Sequence, residues 1–411
     1  MSTTLLWFSS VIGYVIQTKC LSNIQSKKEI SVGPNGTIAT PETNGDNGNS
    51  SSLTFYLTFM YFASWLLLVP ASRLWEKMRP MFVSDSDSNR NSQFDNNNNS
   101  GSVTNEDVDT FSHVLDDPQP RIPAQQQKQK IISVATFKYV AKLTVLALIM
   151  IVADLTYNMA LSLSPAFDVA LMQNTAIFEI VTLLYGVCGI SRKNYVFRNF
   201  LIMMNAVIGI LIISYTKATC DMLAGKLSVN PNTGELSDPF LFDRLKGALI
   251  CGLGALIMGP FAVLWNRWFC SNISKNENSA VVLVKQSTHM ALIGIIGMVI
   301  LLPFIPKFPS RESVESISLF YNDKSFWFSL LGSIIFGSLP SLISILELNR
   351  KAPAEYLTTC NLGAIIFMGL AEWVCEPTQT TIVRWEVIGY IMLTVSLLVL
   401  SVTLGEGKYH H

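Results

Sequence analysis

The sequence predicts an all-α integral membrane protein with ten transmembrane helices arranged as a 5+5 inverted repeat. Three observations support this fold class: the composition, the spacing of the apolar stretches, and a short repeat between the two halves. Half of the 411 residues are hydrophobic and 14% are charged, whereas about 25% of the residues in a soluble domain are charged. Most of the chain is therefore expected to lie in a bilayer.

Ten apolar stretches have lengths close to the roughly 20 residues that a helix needs to cross a membrane. They fall at residues 3–18, 53–72, 138–161, 167–189, 199–215, 247–268, 280–303, 327–346, 354–374 and 385–403. Their apolar residues are not confined to one stripe, as expected for helices surrounded by lipid or by other helices.

The first stretch, residues 3–18, has the length of the apolar part of a signal peptide. No Lys or Arg precedes it and no A-x-A cleavage site follows it, so we interpret it as a short first transmembrane helix. Basic residues are concentrated in the loops after spans two, four, six and eight. Because basic loops stay in the cytoplasm, both termini are predicted to be cytoplasmic.

Two long polar segments separate the first spans and define the predicted domains. Residues 1–72 hold two helices with a polar lumenal loop, and residues 73–131 form an Asn- and Ser-rich cytoplasmic loop with the composition of disordered sequence. The remaining predicted segments are helices three to five (132–217), a lumenal loop (218–244), the second five-helix repeat (245–404) and a cytoplasmic tail (405–411). Sequons at Asn35 and Asn49 lie in the first lumenal loop and are predicted glycosylation sites.

The internal repeat relates spans four and five to spans nine and ten. Each pair begins with Pro-Ala, at Pro165 and Pro353, and an Asn follows eight or nine residues later, at Asn174 and Asn361. Five spans in each half is an odd number, so the halves would cross the membrane in opposite senses. Inverted repeats of this kind are typical of secondary transporters.

The run A-D-L-T-Y-N-M-A-L-S-L-S-P-A from Ala153 to Ala166 resembles the third-to-fourth helix signature of the EamA-like drug/metabolite transporter superfamily. The pattern is most similar to the solute carrier 35 F-type branch and the fungal thiamine-repressible transporter-like proteins. The resemblance implies a 5+5 carrier that moves a small organic solute across an endomembrane. The second half departs from the pattern, because Gly337-Ser338-Leu339-Pro340-Ser341 stands where relatives often have an acidic residue and an aromatic.

Asp154 and Asn158 are four residues apart and would share one face of the third helix. A carboxylate at the bilayer centre costs roughly 2.5–3.5 kcal/mol on insertion scales. Asp154 is therefore expected either to line a central cavity as a proton or cation site, or to form a hydrogen bond with a neighbouring helix.

The fourth helix carries Gln173, Asn174 and Glu179. Consecutive residues point about 100° apart around a helix, so one of the two amides is expected to face the cavity and the other to pack between helices. Glu179, near the middle of the span, is predicted to be a cavity residue; the alternative is a protonated Glu in a helix contact.

Lys285 and His289 open the seventh helix with i,i+4 spacing. They could bind an anionic group of a substrate, or pair with Glu179 or Asp154 across the halves. The alternative is a lysine that reaches the cytoplasmic rim beside an interfacial histidine. The predicted substrate-binding set is Asp154, Asn158, Asn174, Glu179, Lys285, His289 and Asn361.

No enzymatic, cofactor or metal motif is found in the sequence. G-x-S-x-G, H-E-x-x-H, the phosphate loop and G-x-G-x-x-G are all missing. The seven cysteines form no C-x-x-C pair, and two of the four histidines are terminal, so no zinc site or disulfide framework is expected. The formal net charge of zero removes the electrostatic case for nucleic-acid binding.

The functional prediction is a secondary-active or facilitative transporter of a small organic solute, working by alternating access in a vacuolar, Golgi or endoplasmic reticulum membrane. Its partners would be a small-molecule substrate, the lipid bilayer and, in a possible homodimer, a second copy. Two alternatives stay open: a nucleotide-sugar exchanger of the Golgi or endoplasmic reticulum, and a non-transporting membrane scaffold or cargo receptor that uses the Asn-rich loop as its docking arm.

Overall fold

A computed structural model describes residues 3–26, 47–82, 124–188, 196–223, 239–270, 279–305, 324–375 and 384–405. Every regular element among these residues is helical. The helices α1 to α5 run over Thr3–Ser26, Asn47–Phe82, Ala124–Leu163, Ala166–Val187 and Val196–Leu223. In the second half, α6 is Pro239–Trp265, α7 is Ser279–Leu301, α8 is Lys324–Lys351, α9 is Thr358–Cys375 and α10 is Arg384–Gly405.

Eight of these helices are long and apolar enough to cross a membrane. The candidate spans are Leu53–Met78, Thr136–Leu163, Ala166–Val187, Leu245–Cys270, Val281–Phe304, Lys324–Lys351, Ala354–Cys375 and Arg384–Val402. The apolar part of α5, Phe200–Thr216, is shorter. The prediction of an all-α membrane protein is confirmed within the described residues, with eight candidate spans where the sequence predicted ten.

Helical residues extend into the predicted loops 73–131 and 218–244. α2 continues to Phe82 and α3 begins at Ala124, so the ends of the predicted disordered loop 73–131 are helical. Likewise α5 continues to Leu223 and α6 begins at Pro239, which shortens the predicted loop 218–244. The parts of both loops between these helices lie outside the described residues.

Two Pro-Ala steps begin helices, as the sequence predicted. Pro165, with φ −56° and ψ 148°, separates α3 from α4 and accepts a backbone hydrogen bond from Val169. Pro353, with φ −61° and ψ 151°, precedes a 3₁₀ turn, Ala354–Leu357, that leads into α9. Since proline fixes φ near −65° and lacks an amide hydrogen, it suits the start of a helix.

Two helices contain a wider turn beside the centre of the bundle. α6 contains Pro260 and continues as a π-helical turn, Asn266–Cys270. The middle of α8 is a π-helical segment, Ser333–Ser338, just before Pro340. Such turns redirect side chains and often occur at functional sites.

Helix α1 packs against α8 and α9, and one of its faces is buried there. Its residues Leu6, Val11 and Ile24 are each no more than 2% exposed. A Cβ atom added to Gly13 would lie 2.7 Å from the Gly337 carbonyl oxygen of α8. This close contact between the two backbones requires glycine on both sides.

The remaining helices pack in pairs: α3 with α6, α2 with α7, α5 with α10, and α4 with both α6 and α9. Two buried apolar clusters result. One contains Leu6, Phe167 and Leu362, and the other contains Phe62 and Leu146. The cavity described below lies among these helices.

Exposed hydroxyl groups on the apolar surfaces bond to the backbone of their own helix. Thr144, Thr288 and Thr394 each donate to the carbonyl oxygen four residues earlier, at 3.0, 2.8 and 2.8 Å. A hydroxyl in hydrocarbon must be satisfied within the protein, and this local bond satisfies it.

Candidate functional site

A cavity of about 290 Å³ lies among the helices of both halves. This volume is at the lower end of the roughly 300–1,000 Å³ of typical small-molecule sites. Its lining residues come from α1 to α4 and from α6 to α9. The cavity is the candidate functional site.

The polar side of the cavity is formed by α1, α3 and α4. The Tyr14 hydroxyl donates to Gln173 Oε1 over 2.9 Å, and the Thr18 and Tyr157 hydroxyls are 2.8 Å apart. Asn174, 2% exposed, donates from Nδ2 to the Ala170 carbonyl oxygen over 2.7 Å. These bonds fix the α1 and α4 side chains that face the cavity.

Asp154 lies at the same side and is held from behind by Asn158. Asn158 Nδ2 donates to Asp154 Oδ2 and to Thr58 Oγ1, both over 3.1 Å. Gln25 Nε2 donates to the Asn158 backbone oxygen over 3.0 Å. Because hydrogen bonds position a buried carboxyl group, this network of α1, α2 and α3 aims Asp154 at the cavity.

The rest of the lining is largely apolar and aromatic. It includes Trp65, Phe261, Trp265, Met150, Met258 and Met290. Asp154 supplies the one carboxyl group among the described lining residues, and none of these residues is Lys, Arg or His. The site therefore combines one acidic group with aromatic faces, which suits an uncharged or cationic group and disfavours an anion.

Amides and a thiol lie at the end of the cavity where α6 and α8 finish. Asn266 and Asn349 line it. Asn349 Nδ2 and Gln286 Nε2 contact Cys270 Sγ at 3.2 and 3.6 Å. This cluster ties the π-helical turn of α6 to α7 and α8.

The structure brings three of the seven predicted site residues to the cavity: Asp154, Asn174 and Asn361. Asn158 is 1% exposed and lies behind Asp154, where it positions the carboxyl group without lining the cavity. Gln173 also lines the cavity. Both α4 amides therefore line the cavity, whereas one of them was expected to pack between helices.

Glu179, Lys285 and His289 do not line the cavity. Glu179 is half-buried on α4, and Lys285 is exposed near the start of α7. His289 Nδ1 lies 2.6 Å from the Tyr139 hydroxyl, and its ring also packs against Phe269. His289 is thus directed at Tyr139 of α3 and away from the cavity.

Sequence reasoning missed the tyrosines and the first helix. Tyr14 and Gln17 of α1, Tyr157 of α3, and Asn266 and Asn349 all line the cavity. A signal was present in α1, where Gln17, Thr18 and Gln25 interrupt an apolar stretch. Polar residues within an apolar helix indicate a face that packs against protein or lines a cavity.

The glycosylation predictions are not tested. Asn35 lies outside the described residues, and Asn49 lies within the range of α2.

One family model matches residues 1–404, and it is described as CSG2, ceramide synthase regulator. The match overturns the assignment to the EamA-like drug/metabolite transporters and the solute carrier 35 F-type or thiamine-repressible branch. It also overturns the predicted transporter function, because the family is described by regulation of an enzyme and not by movement of a solute. The motif that carried the resemblance spans the fourteen residues from Ala153 to Ala166, whereas the family match covers residues 1–404: the chain belongs to the CSG2 ceramide synthase regulator family.

Proposed function

We propose that this protein is a non-catalytic membrane protein that regulates ceramide synthase through direct contact. The observation that carries the proposal is the family match over residues 1–404, which includes all the membrane helices. It favours the scaffold alternative of the sequence interpretation over transport. The protein's partners are then the bilayer and the enzyme.

Regulation by contact agrees with the hydrogen bonds that polar side chains form between helices of the bundle. Asp154, Asn158, Thr58 and Gln25 bond to one another across three helices. Such interhelical bonds stabilise a bundle by about 0.6–2 kcal/mol each. These bonds hold α1, α2 and α3 together, so that the bundle can present a defined surface to another membrane protein.

The protein resides in the endoplasmic reticulum, as the regulation of a sphingolipid enzyme suggests, with both termini in the cytoplasm. Protease protection of epitope tags tests this orientation. Tags at the two ends should be digested in sealed microsomes, and a tag inserted within residues 27–46 should be protected. Protection of the terminal tags would contradict the orientation.

The ten helices are two inverted repeats of five. Helix packing supports this arrangement. If each helix is replaced by its counterpart in the other half (α1 by α6, α2 by α7, and so on), the contact α1–α8 becomes α6–α3 and the contact α1–α9 becomes α6–α4, and all four contacts are present. The contacts α2–α7, α4–α9 and α5–α10 each join a helix to its own counterpart. Such a plan is common among transporters, but fold alone does not determine function.

Reconstitution with the enzyme tests the proposed function. Ceramide synthase is placed in vesicles alone, with this protein, or with an unrelated protein of similar span number. We expect the rate of ceramide formation to change when this protein is present, and the two proteins to co-purify in mild detergent. An unchanged rate together with no co-purification would overturn the proposal.

The contribution of the Asn-rich loop is separable from that of the helices. Deletion of residues 83–123 leaves α2 and α3 intact, because these helices end at Phe82 and begin at Ala124. If the loop is the docking arm, the deletion removes co-purification while the protein stays folded. If contact is made through the helices, co-purification persists.

A further inference from the structure

We propose that the central cavity binds the ammonium group of a single-chain amphiphilic amine, of the long-chain 2-amino-1,3-diol class. Three features carry the inference: the absence of basic residues among the described residues that line the cavity, its aromatic lining, and its combination of amide and apolar side chains. Binding itself does not depend on the proposed function, but a regulatory effect of binding rests on it.

The charge balance selects for a cation. Asp154 is 7% exposed and lines the cavity, and no Lys, Arg or His stands among the described residues lining it. A phosphate, sulfate or carboxylate would find no basic partner there, whereas an ammonium group would form an ion pair with Asp154. A buried charge is usually paired in this way.

Aromatic rings also favour a cation in the cavity. Tyr61, Trp65 and Tyr157 line the cavity beside Asp154 on α2 and α3. The faces of such rings attract ammonium groups within about 6 Å. A carboxyl group next to aromatic faces is the side-chain chemistry that recognises an organic amine.

The remaining lining residues indicate an amphiphile. The side-chain amides of Gln173, Asn174 and Asn361 can bond to ligand hydroxyls, and Met150, Met258 and Phe261 offer apolar contacts for an alkyl chain. The volume of about 290 Å³ holds a head group and part of one chain. The free base fits better than its N-acyl form, because only the free base carries an ammonium group that can pair with Asp154.

Equilibrium binding to the full chain in nanodiscs tests the proposal, with empty nanodiscs as the blank. The probes are radiolabelled sphinganine, N-acetylsphinganine and octadecyl sulfate, which carry a cationic, a neutral and an anionic head group. We expect saturable binding of one sphinganine per chain. The neutral probe should bind at least about tenfold more weakly and the anionic probe not measurably. Equal binding of all three probes would overturn the proposal without the use of any variant.

Variants then locate the site. Asp154→Asn should reduce sphinganine affinity by at least about tenfold and abolish the preference over N-acetylsphinganine. Glu179→Gln is the matched control, because Glu179 is also an acidic residue within a membrane helix but does not line the cavity. If Asp154→Asn fails to fold, Met258→Trp fills the cavity, keeps the carboxyl group and should also weaken binding. Wild-type affinity in folded Asp154→Asn or in folded Met258→Trp would overturn the assignment.

The two proposals fail in different ways. The binding measurement contains no ceramide synthase, so loss of head-group selectivity overturns the ligand inference and leaves the proposed function standing. Selective binding by a protein that neither alters nor co-purifies with the enzyme overturns the proposed function alone.

Discussion

Gly209 of α5 and Gly389 of α10 face each other in close backbone contact. A Cβ atom on Gly209 would lie 3.0 Å from the Gly389 carbonyl oxygen, and one on Gly389 would lie 2.8 Å from the Gly209 carbonyl oxygen. Asn205 strengthens the same crossing by donating to Ser396 Oγ over 2.8 Å. Small residues at such crossings allow the dense packing that holds membrane helices together.

Replacement of Gly389 by a larger residue should separate α5 from α10. We expect Gly389→Leu to lower the free energy of unfolding by roughly 1–3 kcal/mol, the usual cost of inserting volume into a packed contact. Thermal unfolding in detergent measures the loss. Gly186→Ala is the control, since no atom lies within 4 Å of its added Cβ; equal stability of the two variants would contradict the tight crossing.

Asn158 connects three helices, so its removal should be costly although it does not line the cavity. In Asn158→Ala, Thr58 and Asp154 each lose a hydrogen-bond donor. A buried polar group left unsatisfied costs about 1–3 kcal/mol, and the unfolding free energy in detergent should fall by that amount. Thr288→Val removes a hydroxyl that bonds only within its own helix and should change stability by less than about 0.5 kcal/mol. A similar small change for Asn158→Ala would show that the network contributes little.

Most of the helices could be predicted from the sequence, because helices that contact lipid appear in it as long apolar stretches. The eight candidate spans overlap eight of the ten predicted ones, and Pro165 and Pro353 begin helices where the Pro-Ala steps predicted. Hydropathy is a weaker guide for α1, because one of its faces is buried against other helices. Tyr14 and Gln17 therefore reached the cavity without a signal strong enough to single them out.

The site was predicted only in part. A polar residue in an apolar stretch shows that its side chain is costly to place in the membrane, but it does not show in which direction that side chain points. Asp154 and Asn361 line the cavity, whereas Glu179 and Lys285 are equally polar and face elsewhere. Side-chain direction depends on helix register and on which helices become neighbours. Both are decided by packing between residues far apart in the sequence.

Glu347 near the end of α8 forms a buried charged cluster with Arg350 and Lys351. The carboxylate is 2% exposed, it contacts Arg350, and it lies 3.1 Å from the Lys351 ammonium group. Glu347→Leu leaves two partly buried positive charges together, so we expect the unfolding free energy to fall by about 1–3 kcal/mol, less than for a fully buried pair. Chemical denaturation in detergent measures this loss.

Single replacements on the basic side separate the contributions within this cluster. Lys351→Ala should cost less than Glu347→Leu, because Arg350 still pairs with the carboxylate. Lys324→Ala is the control, as Lys324 is exposed at the opposite end of α8. If all three variants unfold at the same denaturant concentration, the ion pairs do not stabilise this end of the helix.

Gly337 determines how closely α1 approaches the π-helical segment of α8. A Cβ atom at Gly337 would lie 2.8 Å from Gln17 Cβ and 2.9 Å from the Gln17 backbone nitrogen. Because backbone atoms cannot rotate away, Gly337→Leu must displace α1. That displacement should open the cavity, since Tyr14 and Gln17 form part of its wall.

Thiol labelling detects this opening. Cys360 lines the cavity and is 8% exposed, whereas Cys188 is exposed. We expect maleimide to modify Cys360 several-fold faster in Gly337→Leu than in the wild type, with Cys188 unchanged, as measured by peptide mass spectrometry. Gly332→Ala is the control, because its added Cβ meets only Cys20 Sγ at 3.7 Å, an ordinary contact. If maleimide modified Cys360 at the wild-type rate in folded Gly337→Leu, displacement of α1 would leave the thiol as protected as before. That result would show that α1 does not close the cavity.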